Sequence, residues 1–91
     1  MRATKIKMKT GCGTSNNLLE IDSIYITGST QDGYYTKAAV HDYVKEHPGT
    51  LQVNITPYPN VVHATSVNGE KYVKSTPDYT TKDNLLNLPR E

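Results

Sequence analysis

Only one stretch of this chain, Lys37 to Glu46, carries the spacing of a helix, and it is too short to be stable alone. Val40, Tyr43 and Val44 recur at i, i+3 and i+4 and predict a narrow apolar stripe, with Lys37, Asp42, Lys45 and Glu46 left in water. Thr36 precedes the stretch as N-cap, its hydroxyl placed to accept a hydrogen bond from a first-turn amide. Pro48 blocks continuation and Gly49 permits the reversal. So short a helix must lie on a sheet, and the rest of the chain reads as strands and turns.

Thr4, Ile6 and Met8 alternate with Lys5, Lys7 and Lys9, the period of a half-buried strand. Residues 10–17, rich in Gly, Ser and Asn, read as a loop. Leu18 to Thr27 reads as a strand whose phase slips, with Leu19 and Ile21 at odd positions and Ile24 and Ile26 at even ones. A bulge or short break near Asp22-Ser23 lets both pairs face the core. Residues 28–33 form a polar turn, and Tyr34-Tyr35 leads into the helix. Thr50 to Thr56 alternates Leu51, Val53 and Ile55 with polar residues and stops at Pro57-Tyr58-Pro59. Asn68-Gly69 then predicts a two-residue type I′ hairpin between strands Val61 to Val67 and Glu70 to Ser75. That turn sets Thr65 opposite Tyr72, Ala64 opposite Val73 and His63 opposite Lys74, leaving the buried face undecided, although Ala64 with Val73 is the more apolar pair. After a turn at Thr76-Pro77-Asp78, Asp83 caps a single turn carrying Leu85, Leu86 and Leu88, ended by Pro89.

A chain of 91 residues makes one domain, 1–91, with a thin core. There is no Trp and no Phe, and Leu, Ile and Val together number eighteen, so seven Tyr must supply apolar bulk. A net charge of +1 is too low for disorder by self-repulsion and gives no strong field for phosphate backbones. No apolar run approaches a membrane span or a signal peptide, and one cysteine allows no internal disulfide; both features point to the cytoplasm. The expected fold is α+β: one helix packed on a small, mostly antiparallel sheet of four or five strands, with the Asn-Gly hairpin and a docked tail. A core this short of apolar residues favours docking of Leu85, Leu86 and Leu88 on the domain itself over docking on a partner.

The run from Gly69 through Tyr72, Val73, Lys74, Asp78, Asp83, Asn84, Leu85, Leu86 and Leu88 to Pro89 resembles the ending of a family of small bacterial proteins catalogued as domain of unknown function 3892. Members typically read Gly-x-x-Tyr, then an aliphatic and a basic residue, then Pro/Ala-Asp-Gly, then Asp/Asn-Asn-Leu and a closing Leu-Pro. The stretch from Tyr35 to Val44 resembles that family's helix entry. Tyr79 stands where the family usually has Gly, and Thr81 where many members carry Trp. The resemblance supplies no activity and no catalytic residues, so Gly69, Tyr72, Asp78, Asp83, Asn84, Leu85, Leu86, Leu88 and Pro89 read as structural.

Catalytic constellations are weak. Cys12, between two glycines in a loop, would act as a nucleophile only beside a histidine such as His41 or His63 and with a lowered thiol pKa. Gly11-Cys12-Gly13-Thr14-Ser15 lacks the Lys-Ser/Thr ending of a phosphate loop. Cys12, His41, His47 and His63 have no metal-ligand spacing, so no metal and no cofactor is expected. Glu20 and Asp22 share a strand face but lack a promise of burial. Two interaction surfaces have more content: Lys5, Lys7 and Lys9 on the first strand, and Lys71, Tyr72 and Lys74 on the hairpin, where bases interleave with an aromatic. The leading expectation is a non-enzymatic binding or adaptor module for an unknown protein partner, engaged by strand addition at a sheet edge. The lesser alternatives are a nucleic-acid binder using those six residues and a small Cys12-dependent enzyme. The sequence leaves the oligomeric state open.

Overall fold

The computed structural model describes residues 1–76 and 83–91. Six strands and one helix follow in chain order: β1 (Arg2–Met8), β2 (Ile21–Thr27), β3 (Gly33–Thr36), α1 (Lys37–Glu46), β4 (Gln52–Val53), β5 (Val61–Thr65) and β6 (Lys71–Ser75). Two 3-10 turns, Leu18–Glu20 and Asn84–Asn87, complete the described elements. A four-stranded sheet has the order β3-β2-β1-β4, and β5 pairs with β6 in a second, two-stranded sheet. The fold is therefore α+β as expected. The pairing is mixed, because β4 runs parallel to β1 after α1 has carried the chain from one edge of the sheet to the other.

Two bulges set which side chains enter the core. Lys7 pairs with Ser23 and Met8 with Ile21, which leaves Asp22 as the extra residue in β2. That is the slip implied by the odd and even isoleucines, and Ile21, Ile24 and Ile26 are all buried. A second slip skips Thr4 in β1, so Ala3 joins Ile6 and Met8 inside, in the place the simple alternation gave to Thr4. Residues 18–20 form a turn and not a strand, because the Asn17 side chain accepts from the Leu19 amide and caps it.

Thr36 caps α1 as the sequence predicts, its Oγ1 accepting from the Ala39 amide at 3.2 Å. The buried stripe is broader and rotated relative to expectation. Val40 and Val44 are inside, but Tyr43 is 42% exposed, while His41 is 3% and Lys37 9% exposed. Lys37 tolerates burial because its ammonium meets Glu70 at 2.5 Å and donates to the Leu19 carbonyl at 2.9 Å. The strand expected over 50–56 shrinks to Gln52–Val53, with Leu51 and Val53 fully buried. Tyr34-Tyr35, read as a lead-in to the helix, forms the edge strand β3.

The hairpin register is one residue away from the expected one. Val73 lies opposite His63, Tyr72 opposite Ala64 and Lys71 opposite Thr65. The Gly69 amide donates to the Ser66 carbonyl and the Ser66 amide to the Glu70 carbonyl. Gly69 has φ +84°, whereas Asn68 is not left-handed. Val67, Asn68 and Gly69 thus form a three-residue loop ending in a left-handed glycine, not the two-residue type I′ turn, which needs positive φ at both Asn and Gly. A one-residue slip exchanges faces, and Val61, Val73 and Ser75 go inside.

The last segment closes the core. Leu85, Leu86 and Leu88 are buried, with Leu85 at 0%, so the leucines dock on their own domain. Asp83 caps the turn by accepting from the Leu85 amide at 2.9 Å. The Ile6 amide donates to the Pro89 carbonyl at 2.9 Å and the Glu91 amide to the Ile6 carbonyl at 3.1 Å, so the chain finishes as a strand-like addition to β1. No helix among the described residues is long and apolar enough to cross a membrane.

Candidate binding site

Sheet edges are the places where backbone groups remain available to another chain. Among the described residues several of these flanks are occupied, at least in part. The side of β1 away from β2 is covered by β4 at Arg2 and Ala3 and by Pro89–Glu91 at Ile6. Beyond β4, the Val53 amide donates to the Pro59 carbonyl and the Val61 amide to the Leu51 carbonyl, which joins β4 to the start of β5. On β6 the Ser75 amide donates to the Asp83 carboxylate at 3.0 Å, and both 3-10 turns pack against the strand. The outer side of β3 has no strand or turn bonded to it among the described residues.

Beside β3 lies a groove of about 480 Å³ between the sheet and α1. Ile26 and Tyr35 form its sheet side, Ala39, Val40 and Tyr43 its helix side, and Met1 and residues 28–30 close one end. Tyr35 enters it because it pairs with Ile24 and shares the inward face of the sheet. Its hydroxyl donates to the Gln31 carbonyl, which fixes the ring against the loop. Gly28 has φ +83°, and a Cβ there would meet Met1 Cα at 3.4 Å, so glycine sets this end of the groove.

A second, more polar cleft of about 720 Å³ is lined by Asn16, Asn17, Leu18, Leu19, Tyr72, Asp83 and Leu86. Its best acceptors are already engaged: Asn17 by the Leu19 amide, and Asp83 by Ser75 and the Leu85 amide. The motif residues Tyr72, Asp83 and Leu86 thus meet in one place, and Gly69 shapes the hairpin. Asn84, Leu85 and Leu88 lie buried beside them and Pro89 bonds to β1, whereas Asp78 lies outside the described residues.

Of the six surface residues singled out by sequence, three are held in ion pairs. Lys5 pairs with Glu91 at 3.1 Å, Lys9 with Glu70 at 3.7 Å and Lys71 with Asp42 at 2.9 Å. Hydrogen bonding to Glu91 holds the Lys5 ammonium above its ordinary pKa. Lys7 and Lys74 are exposed, and Tyr72 is half-buried over the second cleft. Cys12 bonds to a carboxylate and not to a histidine: its Sγ donates to Glu20 Oε2 at 2.9 Å, and Ser15 donates to the other oxygen. That bond, with burial second, pushes the thiol above its ordinary pKa, the opposite of an activated nucleophile. His41 and His63 instead meet each other edge to face at 5.4 Å, and His41 Nδ1 lies 3.2 Å from Asp42 Oδ1. Among the described residues no three His, Cys, Asp or Glu side chains gather as a metal site.

Tyr35, Ala39 and Tyr43 escaped the sequence reading as site residues. The signal available for them was the uncharged edge sequence Gly33-Tyr34-Tyr35-Thr36 leading into a helix with small residues in its first turn. Arg90 was also silent in the sequence. Its guanidinium donates to the Gly13 carbonyl at 3.0 Å, Ser15 at 2.7 Å and Leu86 at 2.9 Å, and so ties the 10–17 loop to the last segment.

Fold and groove together define a small α+β domain in which, among the described residues, an open strand edge lies beside an apolar recess. The chain belongs to the family described as protein of unknown function (DUF3892), whose model matches residues 2–89. No curated protein matches the chain, and no solved structure does.

Proposed function

We propose that this protein is a non-enzymatic binding module that takes an extended segment of a protein partner as an added strand along β3. The open β3 edge beside the apolar groove is the observation that carries this reading. An edge strand aims the N–H and C=O of alternate residues outward, and an added strand satisfies them. Side chains of such a segment recur on one face about every 7 Å, so an apolar one can reach the groove beside Tyr35 and Ala39. Edges that must stay unpaired are shielded by lysine or proline. Gly33-Tyr34-Tyr35-Thr36 contains neither, whereas β6 carries Lys71 and Lys74. The raised Cys12 thiol supports a role without covalent catalysis, and a lone cysteine suits the cytoplasm.

Selection of short random peptides displayed against the protein, followed by amide shift mapping, tests the reading. Selected peptides should move the amides of residues 33–36, Ala39 and Tyr43. Ala39→Glu, which puts a charge into the groove from an exposed position, should weaken them by about tenfold or more. Shifts confined to the hairpin, or an affinity indifferent to Ala39→Glu, would refute strand addition at β3.

A further inference from the structure

We propose that the outer face of the four-stranded sheet binds single-stranded nucleic acid, and that the Glu91 side chain occupies the position of a phosphate there. Strand register sets Tyr34, Tyr25 and Lys5 in one row across β3, β2 and β1. The neighbouring row, Tyr35, Ile24 and Ile6, points to the core, so the first row points away from it. Tyr25 and Tyr34 meet edge to face, with centroids 5.1 Å apart. The Lys5 ammonium stands 4.7 Å from the Tyr25 ring centroid. Lys7, two residues along β1 with no bulge between, shares the face and is exposed. Toward the other end of β1, the Arg2 guanidinium lies 4.0 Å from the centroid of Tyr58, a ring 44% exposed.

Rings alternating with cations across a sheet are what a flexible single strand needs: faces and edges for bases, charges for the backbone. An acidic peptide would use the cations and leave the rings idle. A duplex would keep its bases stacked on one another. The cations expected from sequence to share this role, Lys9 and Lys71, are directed to Glu70 and Asp42. The interface therefore moves from the lysine-lined hairpin to Arg2, Lys5, Lys7, Tyr25, Tyr34 and Tyr58.

Glu91 shows where an anion sits on this face. Its Oε1 accepts from Lys5 at 3.1 Å. The Tyr34 hydroxyl oxygen is shut off from water without a well-formed hydrogen bond, and its ionisation is pushed up by burial first and by the nearby Glu91 carboxylate next. Glu91 in turn is held below the ordinary carboxylate range by the Tyr34 hydroxyl and then by Lys5. The Lys5 ammonium, with the Tyr34 hydroxyl nearby, thus faces one negative group, and a phosphate oxygen offers Lys5 the same acceptor. Glu91 competes with it, which keeps the affinity of the intact chain low.

Fluorescence anisotropy with labelled single-stranded oligo-dT and oligo-U decides the matter, read between about 50 and 200 mM salt. The intact chain should bind with a dissociation constant of about 10–100 µM at the lower salt. Glu91→Gln should tighten binding about threefold, equivalent to removing one competing charge at the surface. The pair Lys5→Gln and Lys7→Gln should weaken binding and lower the salt slope by about 1.4, two phosphate contacts on a single strand. Tyr25→Ala should cost about tenfold. Should that variant disturb the sheet, Glu91→Gln and the lysine pair still decide the outcome. Absence of binding by both the intact chain and Glu91→Gln, or equal binding of a duplex or of polyglutamate, overturns the proposal.

Discussion

The outer flank of β1 and the outer flank of β3 face opposite fates in one sheet. Along β1, two residues of β4 and then Pro89–Glu91 take up the free backbone groups, and three buried leucines anchor the second of these closures. Along the outer side of β3 no described residue pairs with the backbone, and an apolar groove lies next to it. A chain with so few large apolar residues cannot cover every edge. It closes the edge that its core needs and leaves the edge whose neighbour is a recess, which is the physical basis for reading β3 as the binding side.

Breaking the closed flank should have the largest effect. Removal of residues 84–91 takes away Leu85, Leu86 and Leu88 together with both hydrogen bonds to Ile6, and should unfold the domain or lower its thermal midpoint by well over 10 °C. Leu85→Ala alone, at a fully buried site, should cost about 2–5 kcal/mol in urea unfolding. An unchanged midpoint in either case would mean that the leucines do not hold β1.

Arg90→Met keeps the stem of the side chain and removes three bonds to carbonyls at Gly13, Ser15 and Leu86. It should cost about 1–2 kcal/mol and release the 10–17 loop, seen as faster amide exchange at Ser15, whose amide donates to the Cys12 carbonyl. If loop exchange stays slow, the loop is held by Cys12, Ser15 and Glu20 alone.

Acid should loosen the tie between the hairpin and α1. Glu70 is hydrogen-bonded by Lys37, which holds it below the ordinary carboxylate range. A depressed folded pKa contributes stability that is fully present above the ordinary glutamate pKa and is lost as pH falls through the lower, folded value. The midpoint gap between the intact chain and Glu70→Gln should therefore be widest near neutrality and close below that pH. A gap that stays constant with pH would show that Glu70 acts through packing and not through its charge.

The smallest effect on folding belongs to the open flank. Tyr34→Lys, on the outward face of β3, should change stability by less than about 1 kcal/mol while discouraging strand addition. A loss of several kcal/mol would place β3 among the structural necessities of the fold and remove the contrast with β1.

Local chemistry carried much of this fold into the sequence. Thr36 as N-cap, Pro48 as stop, Asp83 as cap and the slip at Asp22 each follow from what a residue does to its near neighbours. What stayed hidden depends on contacts between distant segments. Lys37 looks solvated until Glu70 and the Leu19 carbonyl are brought to it. Tyr43 fits the helical stripe, but the sheet leaves the groove in front of it. Asn68-Gly69 signals a hairpin correctly, yet the choice between a two-residue and a three-residue loop rests on the face that β5 and β6 must bury. The candidate groove was legible only as an uncharged strand beside a helix, because its walls come from Met1, β2, β3 and α1 at once.

Native-state amide exchange tests the contrast between the two flanks most directly. In the isolated protein the Ile6 amide, bonded to the Pro89 carbonyl at 2.9 Å, should exchange only through global unfolding. The amides among residues 33–36 that do not bond to β2 should exchange orders of magnitude faster and slow down when a selected peptide binds. Protection of all four β3 amides in the isolated chain to the level of Ile6 would contradict an open edge.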